Sequence, residues 1–490
     1  MVHVQNRNRL RNTLFALAMA FFPLLAGCQD ASVHHYNRGM DYLKQDQYDQ
    51  AILEFTKAIE INPRLVDAYF HRGNIYSVIK GDYDLGILDF DKALEIDADS
   101  ATVYYIRGYA YSQKGQYNQA ISDYTKALEI NPRFAEVYCD RGVEYYNRDE
   151  YERAISDFTE AIKIDPKDSC IYYNRGLAYE DKSEYGQAIS DYTKAIEFNP
   201  YYTDAYDNRG RIYFDEGSFD LAIADCTRII EIDPNSERAY YNRGRAYAKK
   251  GLSGLAIADY TTAIEISPGY ASAYMRRGFA FADKGQHDQA IADCDKVIEL
   301  YPRNVNAYSK RGEVYTAIGD YDLAISSYTK AIEIDPNSNM LYCNRGMLYC
   351  QSGQYDLAIS DYTIALGIEP NDAGAYNNRA MAYIGRGEYN RAITDCNNAI
   401  AIDPQYDKPH HNRGLAYLRK REFDRAIIDC NSAIALNPDL AQSYCNRAIA
   451  YRYKGEYDKA WEDVHKAGSF GFQVQPEFIE ELRDVSGRKE

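Results

Sequence analysis

ATVYYIRGYAYSQKGQYNQAISDYTKALEINPRF, residues 101–134, decides the fold. Tyr104, Gly108 and Tyr111 fall at i, i+4 and i+7, and Ala120, Tyr124 and Ala127 repeat that spacing, so each trio lines one face of a helix. Gly115 separates the two helices, and Pro132, with no N–H to donate, stops the second. The stretch reads as a helical hairpin. A single hairpin cannot bury its apolar face alone and needs a neighbour of its own kind, so repetition is the expected architecture.

The repetition is in the chain. Taking Gly108 as the marker, the same place recurs at Gly39, Gly73, Gly142, Gly176, Gly210, Gly244, Gly278, Gly312, Gly346 and Gly414, with Ala380 and Ala448 as substitutes. That makes thirteen repeats over residues 32–474, twelve of 34 residues and a second of 35 whose extra residue is expected in the turn between Tyr76 and Tyr83. Eleven of the 14 prolines fall in one register, from Pro63 to Pro438. Gln475-Pro476 then opens a short segment in which Phe478, Ile479, Leu482 and Val485 share helical spacing, a capping helix for the last open face, with residues 475–490 forming that helix and a tail.

A 34-residue helical hairpin with aromatic, Gly, Tyr, Ala, aromatic, Ala and Pro at these offsets resembles the tetratricopeptide repeat, over about nine tenths of the chain. The resemblance implies an all-α, right-handed superhelical solenoid whose first helices line a concave groove that binds protein or peptide partners. One departure is systematic. Where the family usually has leucine before the glycine, every repeat has arginine, from Arg38 through Arg107 and Arg243 to Arg447. In the second helix eleven repeats carry aspartate at the Asp123 place, with Glu54 and Ser327 as exceptions. An acid recurring with the same period points to internal ion pairs rather than a track for a polyanion.

The first 27 residues differ from the rest. Arg7, Arg9 and Arg11 precede an apolar run from Leu14 to Leu25, too short to span a bilayer, which reads as a signal peptide. Leu25-Ala26-Gly27-Cys28 resembles the lipobox of bacterial lipoproteins, which implies cleavage before Cys28, its lipidation, and a short linker over 28–31. Gln29 follows, so the usual sorting pattern implies an outer-membrane lipoprotein of the bacterial envelope facing the periplasm. Losing residues 1–27 takes the net charge from −17 to −20. Such a body has no electrostatic pull toward anionic lipid or a nucleic-acid backbone, so acyl chains would hold it to the membrane and nucleic acid is not an expected partner.

Little chain is left for catalysis. Outside the array stand only the leader, a linker and the tail, so no enzyme, cofactor or metal site is expected. Cys226, Cys294, Cys396 and Cys430 take the Tyr124 place as small buried hydrophobes, while Cys139 and Cys170, in adjacent repeats, could form a disulfide. Function then falls to the groove, read at the offsets of Thr102, Tyr105, Ile106, Tyr109 and Ser112. The first repeats offer Tyr36, Met40, Phe70, Tyr105 and Tyr109 there. Repeats six to nine offer a basic set, Arg211, Arg238, Asn242, Arg245, Arg276 and Lys310, interrupted by Asp207 and Glu313. Repeat ten and its neighbour add Met340, Cys343, Met347, Cys350 and Met381, an adaptable apolar patch. Asparagine recurs at the Ile106 offset, as at Asn174, Asn208, Asn242 and Asn412; family members that clamp a peptide carboxylate carry asparagine and a basic residue at such groove positions, and the resemblance matches in part, at Asn242 and Arg276, with Asp207 where a lysine would stand. Two functional readings follow: a lipid-anchored scaffold binding extended segments in the groove, or an assembly factor for an envelope complex.

Overall fold

A computed structural model describes residues 31–487. The expected leader and Cys28 lie outside the described residues. Among them are twenty-seven α-helices and no strand. The chain forms two compact units: six hairpins up to Pro234, then seven hairpins and a terminal helix from Asn235. No helix among the described residues is long and apolar enough to cross a membrane.

Each hairpin is built alike. In the reference repeat the helices run Ala101–Gln113 and Tyr117–Ile130, and Gly115 turns the chain with φ +73°. This left-handed turn is obligatory in every repeat, yet Asp46, Asp149, Ser183 and Arg421 hold it without glycine, at φ between 56 and 67°. An L-residue there has its Cβ crowded against the following carbonyl. The marker glycines have a different job. A Cβ added at Gly108 would stand 2.8 Å from the Tyr124 ring, and one at Gly39 2.7 Å from Phe55. The aromatic side chain of the second helix fills the space that the first helix vacates. Where the second helix offers cysteine or valine instead, the space returns: Ala380 faces the Cys396 register and Ala448 the Val464 register.

Every repeat arginine is consumed by this scaffold. Among the described residues eleven of them donate Nε and Nη2 to the two oxygens of the aspartate in their own second helix, at 2.6–2.9 Å. Arg311 meets Ser327 instead, and Arg38 stands 3.9 Å from Glu54. The internal pairing expected from the periodicity is present. Nη1 adds a bond the sequence reading lacked: it reaches back to the preceding hairpin, to Thr125 from Arg141, Thr159 from Arg175, Thr329 from Arg345, or to Asp91 from Arg107. The threonine hydroxyl is saturated in turn, since Thr125 donates to the Ile121 carbonyl at 2.7 Å. Tyrosines one turn either side, such as Tyr104 and Tyr111 around Arg107, hold the guanidinium 5.5 and 5.9 Å from their ring centres. Burial raises the carboxyls of Asp123, Asp157, Asp225, Asp293 and Asp463 more than the arginine lowers them. Such pairs contribute little net stability, but losing one partner strands the other.

The extra residue of the second repeat is not in the turn. It widens the end of the first helix into a π-helical turn, Ile75–Lys80, and Gly81 closes the hairpin as usual at φ +73°. The bulge presses the buried Ser77 onto the second helix, where a Cβ on Gly86 would sit 1.7 Å from the Ser77 hydroxyl. Gly86 therefore replaces the alanine found at that place in the other repeats. The last helix runs Pro476–Ser486 and buries Leu482 against Trp461 and Val464, with Phe478 and Ile479 alongside; Val485 stays exposed.

A cationic groove in the second unit

In the first three hairpins the residues read as groove are core. Tyr36, Met40, Phe70, Tyr105 and Tyr109 are buried. The Tyr105 ring packs 6.0 Å from Tyr124 and 5.1 Å from Phe134, and its hydroxyl donates to Asp140 at 2.9 Å. The side chain at this place leans on the following hairpin, because that is the open face of its own. The next position completes the joint. Asn174 donates to the Cys139 sulfur at 3.7 Å, Asn208 to the Tyr173 hydroxyl at 3.3 Å and Asn412 to Asn377 at 2.8 Å, each bridging consecutive repeats. At these three places the recurrent asparagine ties repeats together. Arg211 is exposed and forms an ion pair with Glu180, which also accepts from Tyr192.

Two hairpins of the second unit depart from this rule. At the asparagine place they carry Arg276 and Lys310, too long and too charged to close the joint, and a cavity of about 610 Å³ opens there. Its wall includes Tyr241, Met275, Arg276, Phe279, Lys310 and Met340, with Asn304, Asn306 and Ser309 as amide and hydroxyl groups and Asp283 and Glu313 as acids. Lys310 Nζ lies 4.9 Å from the centre of the Phe279 ring and 3.1 Å from Glu313. Arg276 and Met340 are exposed. Arg245, half-buried, stacks 5.9 Å from the centre of the Tyr241 ring, and the field of Arg245 and Arg276 acts on the buried Tyr260, whose hydroxyl burial pushes up. Arg238 and Asn242 share the Glu237–Lys249 helix with Arg245.

Three of the ten predicted groove residues, Arg276, Lys310 and Met340, thus line one cavity. Met347 and Met381 are exposed outside its wall, and Cys343 is half-buried with its thiol pushed by burial up to about 12. Met275, Phe279, Asn304 and Asn306 were missed; Phe279 occupies the register of Arg245 and Met347 and could have been found by reading that register through. None of the nine cysteines among the described residues is joined in a disulfide, Cys139 and Cys170 included. Burial pushes Cys294, Cys396 and Cys430 up to about 12, which makes them poor nucleophiles. No group of three His, Cys, Asp or Glu side chains among the described residues is arranged to hold a metal. His35 and His411 are engaged locally, with Glu54 at 2.6 Å and Ser443 at 2.8 Å.

Known proteins were compared with this geometry in hand. No curated protein matches the chain. Solved structures do, as folds: the Cut9–Hcn1 hetero-tetramer of APC/C at 18% identity over 89% of this chain and 99% of that one, TM-score 0.39. Yeast Tom70 matches at 17% over 93% and 95%, TM-score 0.35. YrrB, described as a TPR protein with an unusual peptide-binding site, matches at 22% over 38% and 96%, TM-score 0.34. Models of the tetratricopeptide repeat match residues 101–134, 135–168, 169–202 and 340–372, then 269–337, 66–100, 237–270, 408–440 and 430–462. A further TPR repeat model matches 39–77, 210–251 and 380–420. With family models covering most of its length and hairpins throughout, the chain belongs to the tetratricopeptide repeat family.

Proposed function

We propose that the chain is a lipid-anchored scaffold of a bacterial envelope that holds an extended, acidic segment of a partner protein in the groove of its second unit. Tetratricopeptide repeat proteins bind protein or peptide partners, which supports the general class. The observation that carries the finer reading is the cavity where Arg276 and Lys310 replace the joint-closing asparagine, beside Met275, Phe279 and Met340. In a chain of net charge −17 whose repeat arginines are spent internally, a wall that sets Arg276 and Lys310 against Asp283 and Glu313 is less acidic than the chain around it. An acidic segment is attracted there and repelled elsewhere, which speeds encounter and fixes register. Apolar side chains of the segment find the methionines and Phe279, surfaces that repack around different shapes. Anchoring rests on the Arg7 to Cys28 pattern.

The test is photocrosslinking from Met275 and from Met347 in intact cells, followed by identification of the captured sequences. Segments rich in Asp and Glu captured at Met275, and lost in Arg276→Glu/Lys310→Glu, are expected. Capture unaffected by that charge reversal refutes the acidic-segment reading. Cys28→Ser should release the protein from the membrane fraction, and unchanged retention refutes the anchor.

A further inference from the structure

We propose that the outer face of the first two hairpins, centred on Leu53 and Leu88, rests on the bilayer that carries the Cys28 anchor. The inference depends on the anchor reading above and adds a second, non-covalent contact to it. Leu53 and Leu88 are the sixth residues of the helices Tyr48–Ile61 and Tyr83–Ile96, so they hold one register in consecutive hairpins. They are 48% and 60% exposed, and Leu85, one turn before Leu88, is 41% exposed. The nine hairpins that follow carry only serine, alanine or threonine at this register, from Ser122 to Thr394. A large apolar residue returns once, at Ile428, with Thr394 and Glu462 as its neighbours in register. At this register, paired large apolar residues are therefore confined to the end of the array nearest Cys28, whereas the Leu85 register carries exposed leucines further along as well, at Leu221, Leu255, Leu323 and Leu357.

Three physical points select a lipid surface as the occupant. Three residue steps separate Cys28 from Ala31, the start of the first described helix, and can span no more than about 11 Å, so acylation at Cys28 holds this end of the array against the headgroups. Each leucine has a lysine one turn on, Lys57 and Lys92, whose stem can lie along lipid while its ammonium reaches a phosphate. Lys92 is paired with the exposed Glu95 at 2.7 Å, an i,i+3 contact easily exchanged in water, while Lys57 also caps the buried Glu54 at 2.9 Å and keeps its own exposure at 40%. The overall charge of −17 excludes adsorption by the body's net field, so apolar insertion must seat this face.

The test uses the mature, acylated chain in vesicles of phosphatidylethanolamine and phosphatidylglycerol, with and without brominated phosphatidylcholine. Trp461→Phe removes the single tryptophan, and Leu88→Trp or Leu53→Trp supplies a reporter; Ser326→Trp, at the same register in the ninth repeat, is the control. Brominated lipid should remove most of the emission of Leu88→Trp and Leu53→Trp and leave Ser326→Trp unchanged. Equal emission from both reporters in brominated and plain vesicles, with acylation of Cys28 verified by mass, overturns the bilayer contact and leaves the anchor standing. A reporter shielded only on adding envelope proteins assigns the face to a protein and also overturns it. A chain with no acyl group on Cys28 removes the anchor, and this face loses its argument with it.

Discussion

Alanine at two equivalent glycines should change stability in opposite directions. Gly176 and Gly278 occupy the same place in the first helices Ser169–Asp181 and Ala271–Asp283. A Cβ at Gly176 would lie 2.8 Å from Tyr192 Cε1 and 2.9 Å from Cδ1, and that ring is fully buried with its hydroxyl bound to Glu180 at 2.8 Å, so it cannot swing away. Overpacking of this kind costs about 1–3 kcal/mol. Helix propensity returns ~1 kcal/mol for replacing glycine, leaving Gly176→Ala destabilised by about 1 kcal/mol. At Gly278 the nearest atom is Asp293 Cβ at 3.3 Å, because Cys294 stands where Tyr192 would. The strain there is a few tenths of an ångström, propensity wins, and Gly278→Ala should gain roughly 0.5 kcal/mol. Amide hydrogen exchange in the two substituted helices reads each change locally, which suits a repeat array that need not unfold as one unit. Tyr192→Cys on its own loses a large ring, but combined with Gly176→Ala it recreates the Ala380 and Cys396 combination. The pair should show a favourable coupling of about 1–2 kcal/mol in a double-mutant cycle. The same sign of change at both glycines, or no coupling, refutes the account of why the array keeps glycine.

Three other outcomes follow from the same contacts. Arg175→Met should cost about 3–5 kcal/mol by stranding the buried Asp191, whereas Arg175→Met with Asp191→Asn should cost clearly less than the two singles summed; urea melts of the four species measure it. Ser183→Gly and Arg421→Gly relieve positive φ of 62 and 67° and should each stabilise by about 1 kcal/mol, seen as a higher melting temperature. Burial lowers His71 from 6.5 to about 4, with neither ring nitrogen hydrogen-bonded and the ring packed among Tyr36, Phe55 and Phe70. Between those values the unfolded chain binds the proton and the folded one does not, so stability is full above pH 6.5 and falls as pH drops toward 4, by about 3 kcal/mol in all. His71→Ile installs the residue that the third repeat has at that register, Ile106, and should abolish this part of the acid sensitivity of the first unit in pH-dependent melts.

The array, its count and its ion pairs could be read from the letters because each rests on a period: glycine, arginine and aspartate return together, and local geometry turns a shared period into a contact. What failed were joints between repeats. Tyr105 and Tyr109 lie on the side of their own helix left over once the hairpin is packed, so a single-hairpin view exposes them. Only the next hairpin, with Phe134 and Asp140, buries Tyr105. The joints made by Asn174, Asn208 and Asn412 were hidden for the same reason, since their partners Cys139, Tyr173 and Asn377 are 35 residues away. Arg276 and Lys310 were legible as breaks in that asparagine column, and Met340 as an exposed methionine; the cavity they line with Tyr241, Met275 and Asn304 depends on a non-repeating combination of four hairpins. The extra residue of repeat two was counted correctly and misplaced, because only the packing of Ser77 on Gly86 tells a π-turn from a longer loop.

The backward reach of each arginine Nη1 makes the hairpins of a unit directional modules with matching ends. Each carries a plug, the guanidinium, and a socket on its second helix, filled by Thr, Asp or Asn at the Thr125 place: Thr193 accepts Arg209, Asp295 accepts Arg311 and Asn397 accepts Arg413. Any hairpin with Thr, Asp or Asn at that place can be followed by any other without leaving this donor empty, so gene duplication or loss of a whole 34-residue copy keeps the arginine sockets filled. Arg38, whose hairpin has none before it among the described residues, is 47% exposed and has no such socket to enter. This seam thus leaves length free to vary in evolution, while exposed groove residues such as Arg276 and Met340 are free to differ from copy to copy.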